Sequence, residues 1–208
     1  MRVEGLYALT PEGPEDTLLA QVEAALGAGL RLLQVRSKSG PTERAPTTAR
    51  VVALCRHYGA TCIVNDDAML AAECGADGVH LGRDDGSVAA ARAVLGAGAI
   101  IGVSCYDDLA RAQRLRAEGA DYVAFGSFFA SSVKPAAVRP PLDLLTRGRA
   151  VLDCPIVAIG GITLATAPLL RDAGADALAV ITDVFSAADI GARVRAYGRL
   201  FERAATVE

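Results

Sequence analysis

Short apolar, β-branched runs alternate with Ala-, Leu- and Arg-rich stretches from one end of the chain to the other, and this alternation limits the fold more than any other feature. Strands joined by helix-length connections pair in parallel, because only a crossover of that length carries the chain back to the edge it started from. The pattern predicts strands over Gly5–Leu9, Leu32–Arg36, Thr61–Val64, Gly78–Leu81, Ile100–Ser104, Tyr122–Phe125, Ile156–Ile159 and Leu178–Ile181. Helices are expected around Asp16–Leu26, Thr42–His57, Ala68–Cys74, Val88–Leu95, Asp107–Glu118, Leu142–Leu152, Leu164–Ala173 and Asp189–Ala204. Eight βα units in 208 residues fit an α/β fold of the (β/α)8, or TIM, barrel class, one small domain spanning residues 1–208. An open doubly wound sheet fits less well, since no GxGxxG follows the first strand.

An internal repeat supports this count. Gly75-Ala76-Asp77, Gly119-Ala120-Asp121 and Gly174-Ala175-Asp176 each close a helix and open a strand. The glycine stops the helix, and the aspartate is expected to satisfy the turn that feeds the next strand.

Composition narrows the function. With 52% apolar residues, 22% charged residues and a net charge of −3, the chain can bury a sizeable core and is not extensively disordered. A pI near 5.5, no basic block and no tryptophan speak against a nucleic-acid partner. The five cysteines are odd in number and lack CxxC spacing, so they read as core residues rather than a disulfide framework or a zinc site. The N-terminal stretch shows no signal-peptide pattern, and no apolar run reaches the roughly 18 residues of a membrane span. The expectation is a cytoplasmic protein with small-molecule partners and no membrane. Of the 21 positive side chains all but Lys38 and Lys134 are arginine, so each lysine calls for a local reason.

In a barrel, chemistry sits on the loops that follow the strands. After strand 2, Gln34, Arg36 and Lys38 fall on one side of the chain and face the mouth. Two cations there suit a diphosphate, or else snorkel to solvent. Strands 3 and 4 end in Asn65-Asp66-Asp67 and Gly82-Arg83-Asp84-Asp85, so adjacent strands bring carboxylates to one rim. Asp66 and Asp85 are candidate Mg2+ ligands. The competing reading makes these aspartates helix N-caps: Asp67 before Ala68, and Asp84 or Asp85 before Val88. His80 lies mid-strand and reads as a buried, hydrogen-bonded histidine. The long loop after strand 6 carries Ser131, Ser132 and Lys134 and reads as a lid or a plain connection. Gly160-Gly161 after strand 7, with the backbone after strand 8, suits a phosphate monoester.

The stretches LYALTP, QVRSK, IVNDD, DGVHLGRDD, IGVSCY, GADYVAFGSFF, SSVKP, AIGGIT and GADALAVIT, in this order, resemble the thiamine-phosphate synthase family over essentially the whole chain. That family of (β/α)8 enzymes joins hydroxymethylpyrimidine diphosphate to a thiazole phosphate, giving thiamine phosphate and pyrophosphate with Mg2+. The resemblance implies that Gln34, Arg36, Lys38, Asn65, Ser104 and Lys134 hold the pyrimidine diphosphate. It places Asp66 and Asp85 on Mg2+, and Ser131, Val133, Gly161, Ile181 and Thr182 around the thiazole phosphate. It also implies dissociative chemistry, with Arg36, Lys38, Lys134 and Ser104 as the catalytic set.

Some positions depart from the family pattern. Ser131 and Val133 stand where two threonines are usual, and valine donates no hydrogen bond. Asp183 follows Thr182 where a small neutral residue is common; a carboxylate facing a phosphate is repulsive, so Asp183 is expected to turn away. Arg83 stands for a frequent glutamine and Ser37 for a frequent glutamate. Two other functions use the same scaffold: the related thiazole tautomerase, whose histidine would fall near Tyr106, and a non-catalytic phosphate-binding barrel. Tyrosine at 106 favours the synthase.

Overall fold

Alternation along each strand builds two cores. In the computed structural model, which describes residues 3–37, 41–130 and 139–202, eight parallel strands close into a barrel in chain order. They are β1 (Gly5–Leu9), β2 (Leu32–Val35), β3 (Thr61–Asn65), β4 (Gly78–Leu81), β5 (Ile100–Tyr106), β6 (Tyr122–Gly126), β7 (Ile156–Ile159) and β8 (Ala177–Val180). The described helices are α1 (Glu15–Gly27), α2 (Pro41–His57), α3 (Ala68–Cys74), α4 (Val88–Leu95), α5 (Leu109–Ala117), α6 (Asp143–Val151), α7 (Ala167–Asp172), α8 (Thr182–Phe185) and α9 (Ile190–Phe201).

One face of the strands, including Tyr7, Leu32, Ile63, Tyr122, Val157 and Ala179, fills the barrel interior. Their neighbours in sequence, Leu6, Leu33, Val64, Val123, Ile156 and Val180, point outward against the helices. Each helix answers with a buried stripe; on α1 it comprises Leu18, Leu19, Val22, Ala25 and Leu26. Inside the barrel, Gly102 of β5 faces the Tyr122 ring. A Cβ at that position would stand 1.9 Å from the ring, so glycine is what lets the phenol cross the barrel. Four of the five cysteines are buried, Cys74 is partly so, and all are free, as expected of core residues.

In the Gly-Ala-Asp repeats the glycine ends the helix as expected, Gly75 closing α3 in a left-handed conformation, but the aspartates act differently from the expectation. Each aspartate grips one residue of the preceding strand twice, through its own N–H and through its carboxylate. Asp77 N–H donates to the Cys62 carbonyl (2.9 Å) while Asp77 Oδ2 accepts the Cys62 N–H (2.7 Å). Asp121 does the same to Ile101 (2.7 and 2.7 Å), and Asp176 to Ile156 (2.8 and 2.7 Å). These clamps lie where the strands begin, which is the barrel face opposite the site.

Asp67 caps α3 by accepting the Leu70 N–H, as the sequence suggested. Neither Asp84 nor Asp85 caps α4. That place belongs to Ser87, which accepts the Ala90 N–H and leaves Asp85 for the mouth. The helix expected from Leu164 starts only at Ala167, because Thr163 and Thr166 close a turn of their own, with the Thr163 N–H on Thr166 Oγ1 at 3.0 Å. The short α8 after β8 has no counterpart among the expected helices. Among the described residues no helix is long and apolar enough to cross a membrane.

Candidate active site

The strands open at their C-terminal ends into a cavity of about 790 Å3. Gln34, Arg36, Asn65, Asp66, Asp85, Ser104, Gly161, Ile181 and Thr182 all line it, so the structure brings these sequence-derived candidates to one place. Lys38, Ser131, Val133 and Lys134 lie outside the described residues.

The floor is a hydrogen-bonded chain that the sequence did not announce. Gln34 Nε2 donates to Tyr7 Oη (2.8 Å), Tyr7 Oη and Tyr122 Oη are 2.9 Å apart, and Tyr122 Oη meets His80 Nδ1 at 2.9 Å. His80 Nε2 then reaches Ser104 Oγ at 2.9 Å. The Gln34 amide nitrogen only donates, and the one arrangement of this chain that uses both phenol protons has each phenol accepting from one side and donating to the other. His80 therefore carries its proton on Nε2, and the Ser104 hydroxyl is left to donate into the cavity. Burial pushes the ionisation of both phenols upward, which keeps them protonated along the chain. His80 is the buried, bonded residue expected of it. Tyr7 and Tyr122 were missed, and the available signal was only that each occupies an inward position of its strand.

The rim is charged. Arg36 follows β2, and its backbone is held by Thr10, whose hydroxyl accepts the Arg36 N–H (2.8 Å) and donates to the Arg36 carbonyl (3.0 Å). Asp66 takes a left-handed backbone, φ 68°, uncommon for a residue with a side chain, and its N–H bonds the His80 carbonyl at 2.8 Å. That turn sets its carboxyl at the mouth next to Asp85. Loss of hydration on partial burial and then the Asp85 carboxyl raise the Asp66 pKa to about 6, against the lowering influence of Arg36 and Arg44. Gly82 N–H donates to Asp85 Oδ2 at 2.8 Å and orients it. Beside this pair, Tyr106 also has a left-handed backbone, φ 57°, and its ring lies 4.9 Å from the Arg83 guanidinium.

Two facing carboxyls offer hard oxygen ligands, the donor type that Mg2+ takes together with phosphate oxygens and water. Among the described residues no group of three His, Cys, Asp or Glu side chains is placed to hold a metal by protein ligands alone. The donor set thus fits a cation that arrives with a phosphorylated ligand.

On the far side, Gly160 and Gly161 have φ of 107° and 60°. Side chains there would run into Ser127 and the Ala130 carbonyl, so the turn nests against the loop after β6. Asp183 borders the cavity rather than turning fully away from it, but its carboxylate is engaged by other groups. Its oxygens are held by Arg193 (2.7 Å), Tyr197 (2.8 Å) and the Leu164 N–H (3.1 Å).

Eight parallel strands with a charged, hydrogen-bonded mouth at their C-terminal ends define a (β/α)8-barrel enzyme. Within that class the chain belongs to the thiamine monophosphate synthase family, whose model matches residues 6–184. Thiamine-phosphate synthase of Azoarcus sp. (strain BH72) is 59% identical over 202 residues, covering 96% of this chain and 98% of the relative. That of Aromatoleum aromaticum is 53% identical over 203 residues, covering 97% and 98%. The solved thiamine phosphate pyrophosphorylase from Pyrococcus furiosus superposes with a TM-score of 0.83 at 30% identity, over 94% of each chain. The family resemblance read from the motifs is borne out.

Proposed function

We propose that the cavity condenses hydroxymethylpyrimidine diphosphate with a thiazole phosphate, giving thiamine phosphate and pyrophosphate. The observation that carries this reading is the grouping of Arg36, Asp66 and Asp85 on one rim. A guanidinium beside two facing carboxyls suits a diphosphate accompanied by a divalent cation. Asp66 and Asp85 would hold Mg2+, which when bound offsets the negative charge of the departing diphosphate.

Arg36, with Lys38 and Lys134 by resemblance, would add cationic donors to the same leaving group. Gln34, Asn65 and Ser104 would hold the pyrimidine, Ser104 through the hydroxyl proton left over by the floor chain. The C–O bond to diphosphate breaks with its electron pair leaving on oxygen, and the thiazole nitrogen captures the resulting pyrimidine-stabilised carbocation. No protein nucleophile is needed. The protein's work is to stabilise charge with donors already in place, and each such donor contributes about 2–4 kcal/mol when removed singly. Gly161, the backbone at Ile181 and Thr182, and the loop carrying Ser131 and Val133 would hold the thiazole phosphate.

The test is release of pyrophosphate. Purified protein supplied with both substrates and Mg2+ is expected to form thiamine phosphate and pyrophosphate in equal amounts. Isomerisation of the thiazole alone would support the tautomerase reading instead, and binding without turnover would support the non-catalytic barrel.

A further inference from the structure

We propose that Asp183 is a positioning residue for the thiazole phosphate, a latch that joins the two backbone segments of the phosphate cradle; the inference rests on the function proposed above. The cradle comes from separate places in the chain, the turn at Gly160–Gly161 after β7 and the backbone at Ile181–Thr182 after β8. Their relative position must be kept to a few tenths of an ångström if both are to bond one phosphate.

Asp183 is next to Thr182, and one of its oxygens accepts the backbone N–H of Leu164, in the segment that continues from Gly161. The same oxygen accepts the Tyr197 hydroxyl at 2.8 Å, and the other accepts Arg193 Nη1 at 2.7 Å. One carboxylate therefore ties the loop after β7, the turn after β8 and α9 together.

The need for such a tie follows from the size of α8. A helix of four residues cannot set its own pose, because its few internal hydrogen bonds do not repay the ordering of its backbone. Val184 and Phe185 are buried on one side of it. Asp183 fixes the remaining freedom. Its charge is offset by Arg193, and its oxygens are occupied by donors other than the ligand. That answers the objection that a carboxylate beside a phosphate is repulsive. Tyr197 is fully buried, and burial together with the carboxylate pushes its ionisation upward, so it stays a donor.

The plain alternative is an ion pair that merely pins α8 to α9. Such a pair needs Arg193 and Tyr197 but has no use for the Leu164 amide, and it predicts lost stability without any preference between the two substrates.

The experiment compares wild type with Asp183→Ala, Asp183→Asn and Tyr197→Phe by calorimetric binding of the thiazole phosphate, steady-state kinetics and melting temperature. Asp183→Ala is expected to raise both Kd and KM for the thiazole phosphate about tenfold, or ~1.4 kcal/mol, with KM for the pyrimidine diphosphate within about twofold. Asp183→Asn should recover part of the loss, because its carbonyl still accepts the Leu164 N–H. Tyr197→Phe, which removes one of the three bonds without opening a cavity at Asp183, should raise Kd more modestly and serves if the alanine variant does not fold.

Equal rises in both KM values, or a lower melting temperature with unchanged thiazole phosphate binding, overturn the latch. Wild-type protein that binds the thiazole phosphate but releases no pyrophosphate refutes the synthase reading alone, since the ratio of dissociation constants still decides the role of Asp183. Wild-type protein that does not bind the thiazole phosphate refutes both.

Discussion

The hydroxyl oxygens of Tyr7 and Tyr122 lie 2.9 Å apart although their strands, β1 and β6, are not neighbours in the barrel. The two rings meet edge to face, with centroids 6.0 Å apart. This contact crosses the barrel and is the second of the four links in the chain that runs from Gln34 to Ser104. Tyr122→Phe leaves both the Tyr7 hydroxyl proton and His80 Nδ1 without their partner, whereas Tyr7→Phe leaves the Gln34 amide, which borders the cavity and can turn to water, and one lone pair of the Tyr122 oxygen, whose hydroxyl still donates to His80. A cost of about 2–4 kcal/mol is expected for Tyr122→Phe and about 1–2 kcal/mol for Tyr7→Phe. Urea denaturation of the two variants checks the order; equal or reversed costs would discard the chain as described.

Gly102 makes that crossing possible, so Gly102→Ala is expected to cost about 3 kcal/mol. The added methyl meets a fully buried ring rather than a flexible chain end, and the ring has nowhere to move without breaking its bonds to Tyr7 and His80. A loss below about 1 kcal/mol in the same denaturation assay would show that the phenol is free to shift.

At the rim, Asp66→Asn removes one of two facing negative charges. Metal-free protein carrying it should melt no lower than wild type, and its melting temperature should no longer rise when Mg2+ is added together with pyrophosphate. Turnover should fall about a hundredfold or more, since an amide is a poorer Mg2+ ligand than a carboxylate. Retained Mg2+-dependent stabilisation, or full activity in excess EDTA, would remove Asp66 from the metal site.

Gly82→Ala probes the same site indirectly. A Cβ at this position would stand 2.6 Å from Asp85 Oδ2, close enough to push the carboxylate off the Gly82 amide. Because the displaced atom is the tip of a side chain, the melting temperature should change little. The Mg2+ concentration for half-maximal activity should rise about tenfold, as is usual when a group that orients a ligand is lost. An unchanged Mg2+ requirement would mean that Asp85 acts without this support.

The barrel was legible in the sequence because its signals are local. Short apolar runs such as Leu32–Val35 and Ile156–Ile159 declare strands, and helix stops such as Gly75 declare ends, whatever the rest of the chain does. The same locality brings Gln34 and Arg36 onto one side of the chain and puts Asp66 and Asp85 at the ends of adjacent strands, so the charged rim is legible in the sequence. Three features could not be read in this way. Ser87 rather than Asp85 caps α4, a choice between neighbouring residues that depends on where the chain turns. The Tyr7–Tyr122–His80 contacts join strands 115 and 42 residues apart, and their meeting depends on the tilt and closure of the barrel, which no strand encodes alone. Asp183 has its meaning only through Leu164, Arg193 and Tyr197, which come from two other elements. Sequence periodicity determined which residues face inward; which of them touch was decided by closing the sheet, because contact across a barrel is a property of all eight strands together.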